Sequence, residues 1–401
     1  MKYNFNEKVD RKDNHSAKWE EMKYKFIDND LWPMWIADMD LKTAPSIIEE
    51  MKLKVEQGIF GYVYRPDSYY QSAANWSEER FNYKINPQTL ICSPGVVPTL
   101  SILVRLMTDI GDKILIQSPV YYPFSSVVTE NERILIDSPL KKDINGYYHI
   151  DFIDMESKLA ANNIKLFIFC SPHNPVGRVW TREELEKTCE LCLKYNVKII
   201  SDEIWRDLVL PGNVHIPLAS LSKNSEKNTI TCFSPTKTFN IAGLQSSFVT
   251  FPVKKEWENF DKELSLLDIK RNNPFSLVAF EAAYTKCTDW LEELLIHLDG
   301  NIEYVSNFLK EKLPEVKLVK PEATYLLWLD FSSLNFSKEE LSKLMQIEGK
   351  IALDDGFWFG ENGSGYERMN IATPRYMVEE GMKRIEKAVK TTRNLSSIKE
   401  F

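Results

Sequence analysis

Cysteine, histidine and glycine are all scarce in this chain. Six cysteines in 401 residues are too few to form a disulfide framework. Cys189 and Cys192 have CxxC spacing, but they fall inside a predicted helix with no second pair nearby, so they read as packing and not as a metal or redox site. The five histidines show no HExxH spacing. The 15 glycines form no GxGxxG, P-loop or GxSxG signature, which sets aside dinucleotide dehydrogenases, P-loop kinases and α/β-hydrolases. Basic residues are outnumbered, 50 against 58 acidic ones, and form no stripe, so no nucleic-acid partner is expected. The longest apolar runs, such as Leu166 to Cys170, are far too short to span a membrane, and the opening MKYNFNEKVDRKD has no signal-peptide core. The expectation is an acidic, cytoplasmic, multi-domain protein, most simply an enzyme.

What the chain does have is a rhythm. A helix is expected from Ala44 or Pro45 to about Gln57, with proline in its first turn and Gly58 ending it, and another from about Ser68 to Tyr83. Short β-rich runs follow at Lys113–Gln117, Arg133–Asp137, Lys165–Cys170, Val197–Ser201, Thr229–Phe233 and Ser247–Phe251. Helical patterns lie among them, at Val96–Met107, Glu183–Tyr195 and Asn240–Leu244. This alternation predicts an α/β fold with a doubly wound, mostly parallel sheet. Residues from about Phe260 to Lys312 read as helical. Beyond them Tyr325–Asp330 reads as a strand, and Ser337–Glu348 and Met377–Lys390 as helices, giving a smaller α+β domain. The division expected is 1–50 as an N-terminal arm and part of the small domain, 51–289 as the large domain and 290–401 as the rest of the small one.

The informative polar residues sit just beyond predicted strand ends: Ser118-Pro-Val-Tyr121, Ser171-Pro-His-Asn174, Asp202-Glu-Ile-Trp205 and Ser234-Pro-Thr-Lys237. In an open parallel sheet the ligand crevice lies outside the carboxyl ends of the strands, so these loops should converge. They would bring together an amine, a carboxylate, an amide and an aromatic ring. Each also has an ordinary structural alternative: Asp202 as a helix N-cap, Asn174 as the turn residue before Pro175, Tyr121 as a core aromatic.

The runs SPTKTFNIAGLQ (234–245), FCSPHNPVGRVWTREEL (169–185), SDEIWRDLV (201–209) and ERMNIATPR (367–375) resemble the fold-type-I pyridoxal-phosphate enzymes of the class I/II aminotransferase superfamily. PMWIADMD (33–40), GIFGYVY (58–64) and ATYLLWLDF (323–331) narrow the resemblance to the MalY/PatB-type cystathionine β-lyase and C–S lyase branch. It extends from Val9 to about Lys390.

The resemblance implies pyridoxal 5′-phosphate as cofactor and a sulfur amino acid as substrate. Lys237 is then the catalytic lysine that bonds the cofactor, and Asp202 the partner of the pyridine nitrogen. Asn174 is the amide at the ring 3′-oxygen, and Tyr121 the stacking ring. Gly95, Val96 and Val97, opening a helix, together with Ser234 and Tyr62, are phosphate contacts, with Tyr62 reaching across from the second subunit of a homodimer. Arg368 is the grip on the substrate α-carboxylate, faced by the backbone of Ile36 and Ala37, while Arg375 is structural. The implied reaction is β-elimination of cystathionine or a related cysteine S-conjugate to a thiol, pyruvate and ammonia. An aminotransferase or a regulatory protein on the same scaffold are the alternatives. Two departures stand out. Many aminotransferases carry arginine eight residues after the lysine, where this chain has Gln245, and where it has Trp205 family members often have histidine and aminotransferases typically tyrosine.

Overall fold

The computed structural model describes residues 2–28 and 30–399. Seven strands form the central sheet: β1 (Leu90–Ser93), β2 (Lys113–Ile116), β3 (Ile134–Asp137), β4 (Ile164–Cys170), β5 (Lys198–Asp202), β6 (Thr229–Phe233) and β7 (Ser247–Thr250). Their spatial order is β1-β7-β6-β5-β4-β2-β3. Neighbours from β6 to β3 run parallel, whereas β7 is antiparallel to both β6 and β1.

Side chains alternate across this sheet, as a strand's period of two requires. In β4, Leu166, Ile168 and Cys170 face a cluster closed by helices Val96–Met107 and Lys254–Leu266. Phe167 and Phe169 face the opposite cluster, with Trp180 and helix Arg182–Lys194, and there Cys189 and Cys192 are simply buried packing thiols. Each fully buried large apolar side chain contributes about 1.5–3 kcal/mol, so covering both faces makes the sheet a rigid base for the loops at its carboxyl edge.

A smaller antiparallel sheet has the order β8 (Lys317–Leu318), β9 (Leu326–Asp330), β11 (Tyr366–Asn370), β10 (Asp354–Asp355). The N-terminal arm joins this region: Trp32–Pro33 pairs in parallel with Ile351–Ala352, and Asn370 N–H donates to the Met34 carbonyl at 2.8 Å. The segment after Met34 is thereby delivered to the carboxyl edge of the large sheet.

Most expected elements form within a few residues of their expected ends, including helices Pro45–Glu56 and Asp67–Phe81. The long helical region resolves into helices Lys254–Leu266, Pro274–Lys286 and Thr288–Lys312. The expected helix Asn240–Leu244 is instead a tight turn ending in one 3₁₀ turn, Ala242–Leu244. Asn240 takes a positive φ of 55°, and its side chain bonds the backbone of Met39 and Leu41.

Candidate active site

A cavity of about 360 Å³ opens at the carboxyl edge of the sheet, walled by residues that include Ala37, Gly95, Val96, Val97, Tyr121, Asn174, Asp202, Trp205 and Lys237. The four loops singled out in the sequence do converge. Three further polar residues, Thr236, Gln245 and Ser246, share the wall.

Lys237 is carried by a turn immediately after β6. Ser234 Oγ accepts from Thr236 N–H at 3.2 Å and donates to the Ser246 carbonyl at 2.8 Å, folding the chain so that Lys237 projects into the cavity. The Ser234 hydroxyl is therefore committed to the turn and lies outside the cavity wall, where Thr236 and Ser246 stand instead. Lys237 Nζ donates to the Ala37 carbonyl at 2.7 Å and lies 5.8 Å from the ring of Trp205. Burial lowers its pKa to about 8, an effect that nearby Arg368 reinforces and Asp38 and Asp202 oppose.

Asp202 ends β5 and is buried. Its Oδ1 accepts from Ile204 N–H at 3.1 Å, and among the described residues no cation comes close enough for an ion pair. Burial raises its pKa to about 7. A carboxyl that must choose between protonation and an unpaired buried charge is suited to receive a cationic N–H from a ligand.

Asn174 is oriented by Arg368, whose Nη1 donates to Asn174 Oδ1 at 3.0 Å. Tyr121 lies on the wall, and its phenol pKa is raised by burial. Gly95 has φ 136°, a conformation that residues with a Cβ rarely adopt, and it starts helix Val96–Met107. The first N–H groups of that helix have no partners within it and provide positive potential for an anion.

Arg368, on β11, is buried outside the cavity wall. Besides Asn174 it holds Asp354 on the adjacent β10, with Nη2 donating to Oδ2, while its Nε has no protein partner. Asp354 did not stand out in the sequence. Only the cross-strand register Asp354↔Arg368 places it. Tyr325 was also missed: its hydroxyl donates at 3.0 Å to the same Ala37 carbonyl that receives Lys237, and its ring meets Trp205 edge-on at 4.9 Å.

Ile36 is half-buried beside the site, its carbonyl accepting from Asn370 Nδ2 at 2.6 Å. Tyr62 lies outside the cavity of its own chain. It is 92% exposed, with Arg271 over its ring at 5.1 Å. Arg375 bonds Asn301 through Nε at 2.7 Å, a helix-anchoring contact away from the cavity.

A profile of the aminotransferase class I and II family matches residues 36–385. Cystathionine β-lyase PatB of Bacillus subtilis is 41% identical over 387 residues, covering 96% of this chain and all of that protein. The chain belongs to the class I/II aminotransferase family, in its PatB/MalY cystathionine β-lyase branch. Solved structures agree. A pyridoxal-phosphate-bound protein of Clostridium difficile 630, provisionally described as an aminotransferase, superposes with a TM-score of 0.95 at 55% identity, covering 96% of this chain and 100% of that one. The pyridoxal-phosphate-bound C–S lyase of Staphylococcus hominis gives 0.91 at 34% identity, covering 97% and 98%. The fold is therefore that of the fold-type-I pyridoxal-phosphate enzymes.

Proposed function

We propose that this protein is a pyridoxal-5′-phosphate-dependent carbon–sulfur lyase that cleaves the Cβ–S bond of cystathionine or a related cysteine S-conjugate, yielding a thiol, pyruvate and ammonia. The observation that carries the cofactor in this reading is the placing of Lys237 and the buried, unpaired Asp202 in one cavity, and the lyase reading rests on full-length similarity to cystathionine β-lyase PatB.

The residues fit the cofactor. Asp202 would receive the pyridinium N–H, Asn174 the ring oxygen, and Tyr121 one face of the ring. Val96, Val97, Thr236 and Ser246 would serve the phosphate, with Gly95 allowing the close approach. When bound, pyridoxal phosphate supplies an electron-withdrawing ring that acidifies the substrate α-carbon.

The chain's own contribution is positioning and proton handling. Arg368, fixed by Asn174 and Asp354, offers its remaining N–H groups to the substrate carboxylate. Lys237 Nζ, neutral in part of the population near pH 8, takes the α-proton, and the Ala37 carbonyl steadies the resulting ammonium. Sulfur then leaves with the bonding electron pair and takes up a proton. Water hydrolyses the remaining three-carbon fragment to pyruvate and ammonia.

We also infer a homodimer in which the partner's Tyr62 completes each cavity. The support is that Ile59, Phe60, Tyr62 and Tyr64 form an exposed apolar run outside the chain's own site. A cytoplasmic location fits six buried, unpaired cysteines, and among the described residues no helix is long and apolar enough to cross a membrane.

An aminotransferase would use the same lysine, aspartate and arginine, and the Clostridium difficile neighbour keeps that reading in play. Dependence on an acceptor decides between them. Turnover of a cysteine thioether that does not respond to added keto acid supports the lyase, and turnover that requires it supports the transferase.

A further inference from the structure

Ala37, in the arm segment Ile36–Leu41, lines the cavity, and a dense set of side chains holds that segment. Asn370 Nδ2 donates to the carbonyls of Ile36 and Asp38, both at 2.6 Å. Asn240 bonds Met39 N–H at 2.9 Å and the carbonyls of Met39 and Leu41 at 3.0 and 2.8 Å. Arg11 grips the Asp38 carboxylate with both terminal nitrogens, at 3.0 and 2.6 Å, and reaches Asp40 at 2.8 Å. Lys18, itself buried, donates to Asp40 Oδ2 at 2.6 Å and lies 3.6 Å from Asp38 Oδ1. Two cations thus pair with two carboxylates that flank a single residue, Met39. The product of this construction is one carbonyl, that of Ala37, which receives both Lys237 Nζ and Tyr325 Oη.

We propose that Asp38, clamped by Arg11 and Lys18, is a positioning residue for Lys237: it holds the Ala37 carbonyl beside Nζ and supplies the negative charge that sets when that nitrogen, free or bonded to the cofactor, holds its proton. This rests on the reading of Lys237 as the cofactor-bonding lysine. The groups facing Lys237 are Asp38 from the arm, Asp202 from the end of β5, Arg368 from β11, and the neutral rings of Trp205 and Tyr325. Of the charges, Asp38 acts most strongly, opposing the effect of burial. Asp38 also holds its own proton weakly, because Lys18 and Arg11 favour the carboxylate against the cost of burial. Its charge is therefore permanent over the working pH range, and the clamp determines how much of that charge Lys237 experiences.

The test is a spectrophotometric pH titration of purified holoenzyme with no substrate present, reading the absorbance change that follows protonation of Lys237 Nζ while it is bonded to the cofactor. Asp38→Asn keeps the shape and removes the charge, so the midpoint should fall by about half a pH unit or more. Arg11→Met removes a clamping cation and leaves the carboxylate, so the midpoint should rise, and Asp38→Glu should return it toward wild type. General loosening of the arm would move both variants in the same direction. Opposed shifts support the proposal, and shifts of the same sign, or none, overturn it. If Asp38→Asn gives no soluble holoenzyme, Arg11→Met decides alone: an upward shift supports the proposal, and an unchanged or lower midpoint overturns it. Lys237→Ala separates the underlying reading. A borohydride-reducible link between cofactor and that variant would reject the lysine assignment itself, whatever the arm variants show.

Discussion

Arg368 and Asn174 are 194 positions apart in the chain, yet Nη1 of one donates to Oδ1 of the other at 3.0 Å. The contact ties the small antiparallel sheet to a loop of the large parallel one, and it joins the proposed carboxylate grip to the proposed cofactor amide. Asp354 holds the other side of the guanidinium, so the fork is oriented before any ligand arrives.

Removing that fork should separate substrate binding from cofactor binding. A carboxylate held by charge-assisted hydrogen bonds gains on the order of 2–5 kcal/mol. Arg368→Ala should therefore raise KM for a thioether amino acid by about thirtyfold to a few thousandfold, with the cofactor still bound but its absorbance shifted as Asn174 loses its partner and Lys237 a neighbouring charge. Arg368→Lys should recover little, because a point charge cannot span Asn174, Asp354 and a substrate carboxylate together. Steady-state kinetics with the spectrum recorded alongside gives the answer. A near-normal kcat/KM in Arg368→Ala would move the carboxylate site elsewhere.

Asp202 leads to a prediction about stability. Its folded pKa of about 7 lies above its ordinary value of 3.8, so the cofactor-free folded chain binds this proton more tightly than the unfolded chain does. That contribution is complete below about pH 4 and is lost as pH rises through 7, a change of roughly 1–4 kcal/mol. Asp202→Asn has no such charge to bury. Thermal unfolding of cofactor-stripped protein should show the variant gaining on wild type between pH 5 and pH 8, and parallel curves would contradict the buried-carboxyl account. In the holoenzyme the same variant should lose kcat by about a hundredfold or more while keeping most of its cofactor, because phosphate contacts do not depend on Asp202.

Tyr62 allows a complementation test. Tyr62→Ala and Lys237→Ala should each be nearly inactive as pure proteins. When the two are mixed and allowed to exchange subunits, half the dimers pair one chain of each kind, and one of their two cavities has both Lys237 and a partner Tyr62. About a quarter of wild-type activity should return. Failure to recover activity in a mixture shown by sedimentation to contain exchanged dimers would reject the shared site.

The fold and the centre of the site were legible because they depend on local pattern. Buried strands, amphipathic helices and polar residues at strand ends are all written within ten or fifteen residues. What the sequence did not disclose depends on long-range pairing. The run Ser247–Phe251 carries the same apolar signal as its parallel neighbours, and nothing in it records that β7 runs antiparallel. Strand β1, Leu-Ile-Cys-Ser, is not among the β-rich runs read from the sequence. Asn240–Leu244 looked helical, but Asn240 is recruited by Met39, 201 positions away. Asp354 joins the site only through its register with Arg368. Among the hydroxyls near Lys237, the turn geometry leaves Ser234 inside the turn and puts Thr236 and Ser246 on the wall.

The central claim is that the cavity eliminates a thiol instead of transferring an amine, and product stoichiometry tests it most directly. Purified protein should be incubated with cystathionine and, separately, with a simple S-alkyl cysteine, without any keto acid, and thiol, pyruvate and ammonia followed over many turnovers. The account predicts equal amounts of all three, continuing until substrate is exhausted, and no formation in Lys237→Ala. A single turnover that stops until keto acid is added, with no thiol released, would contradict it.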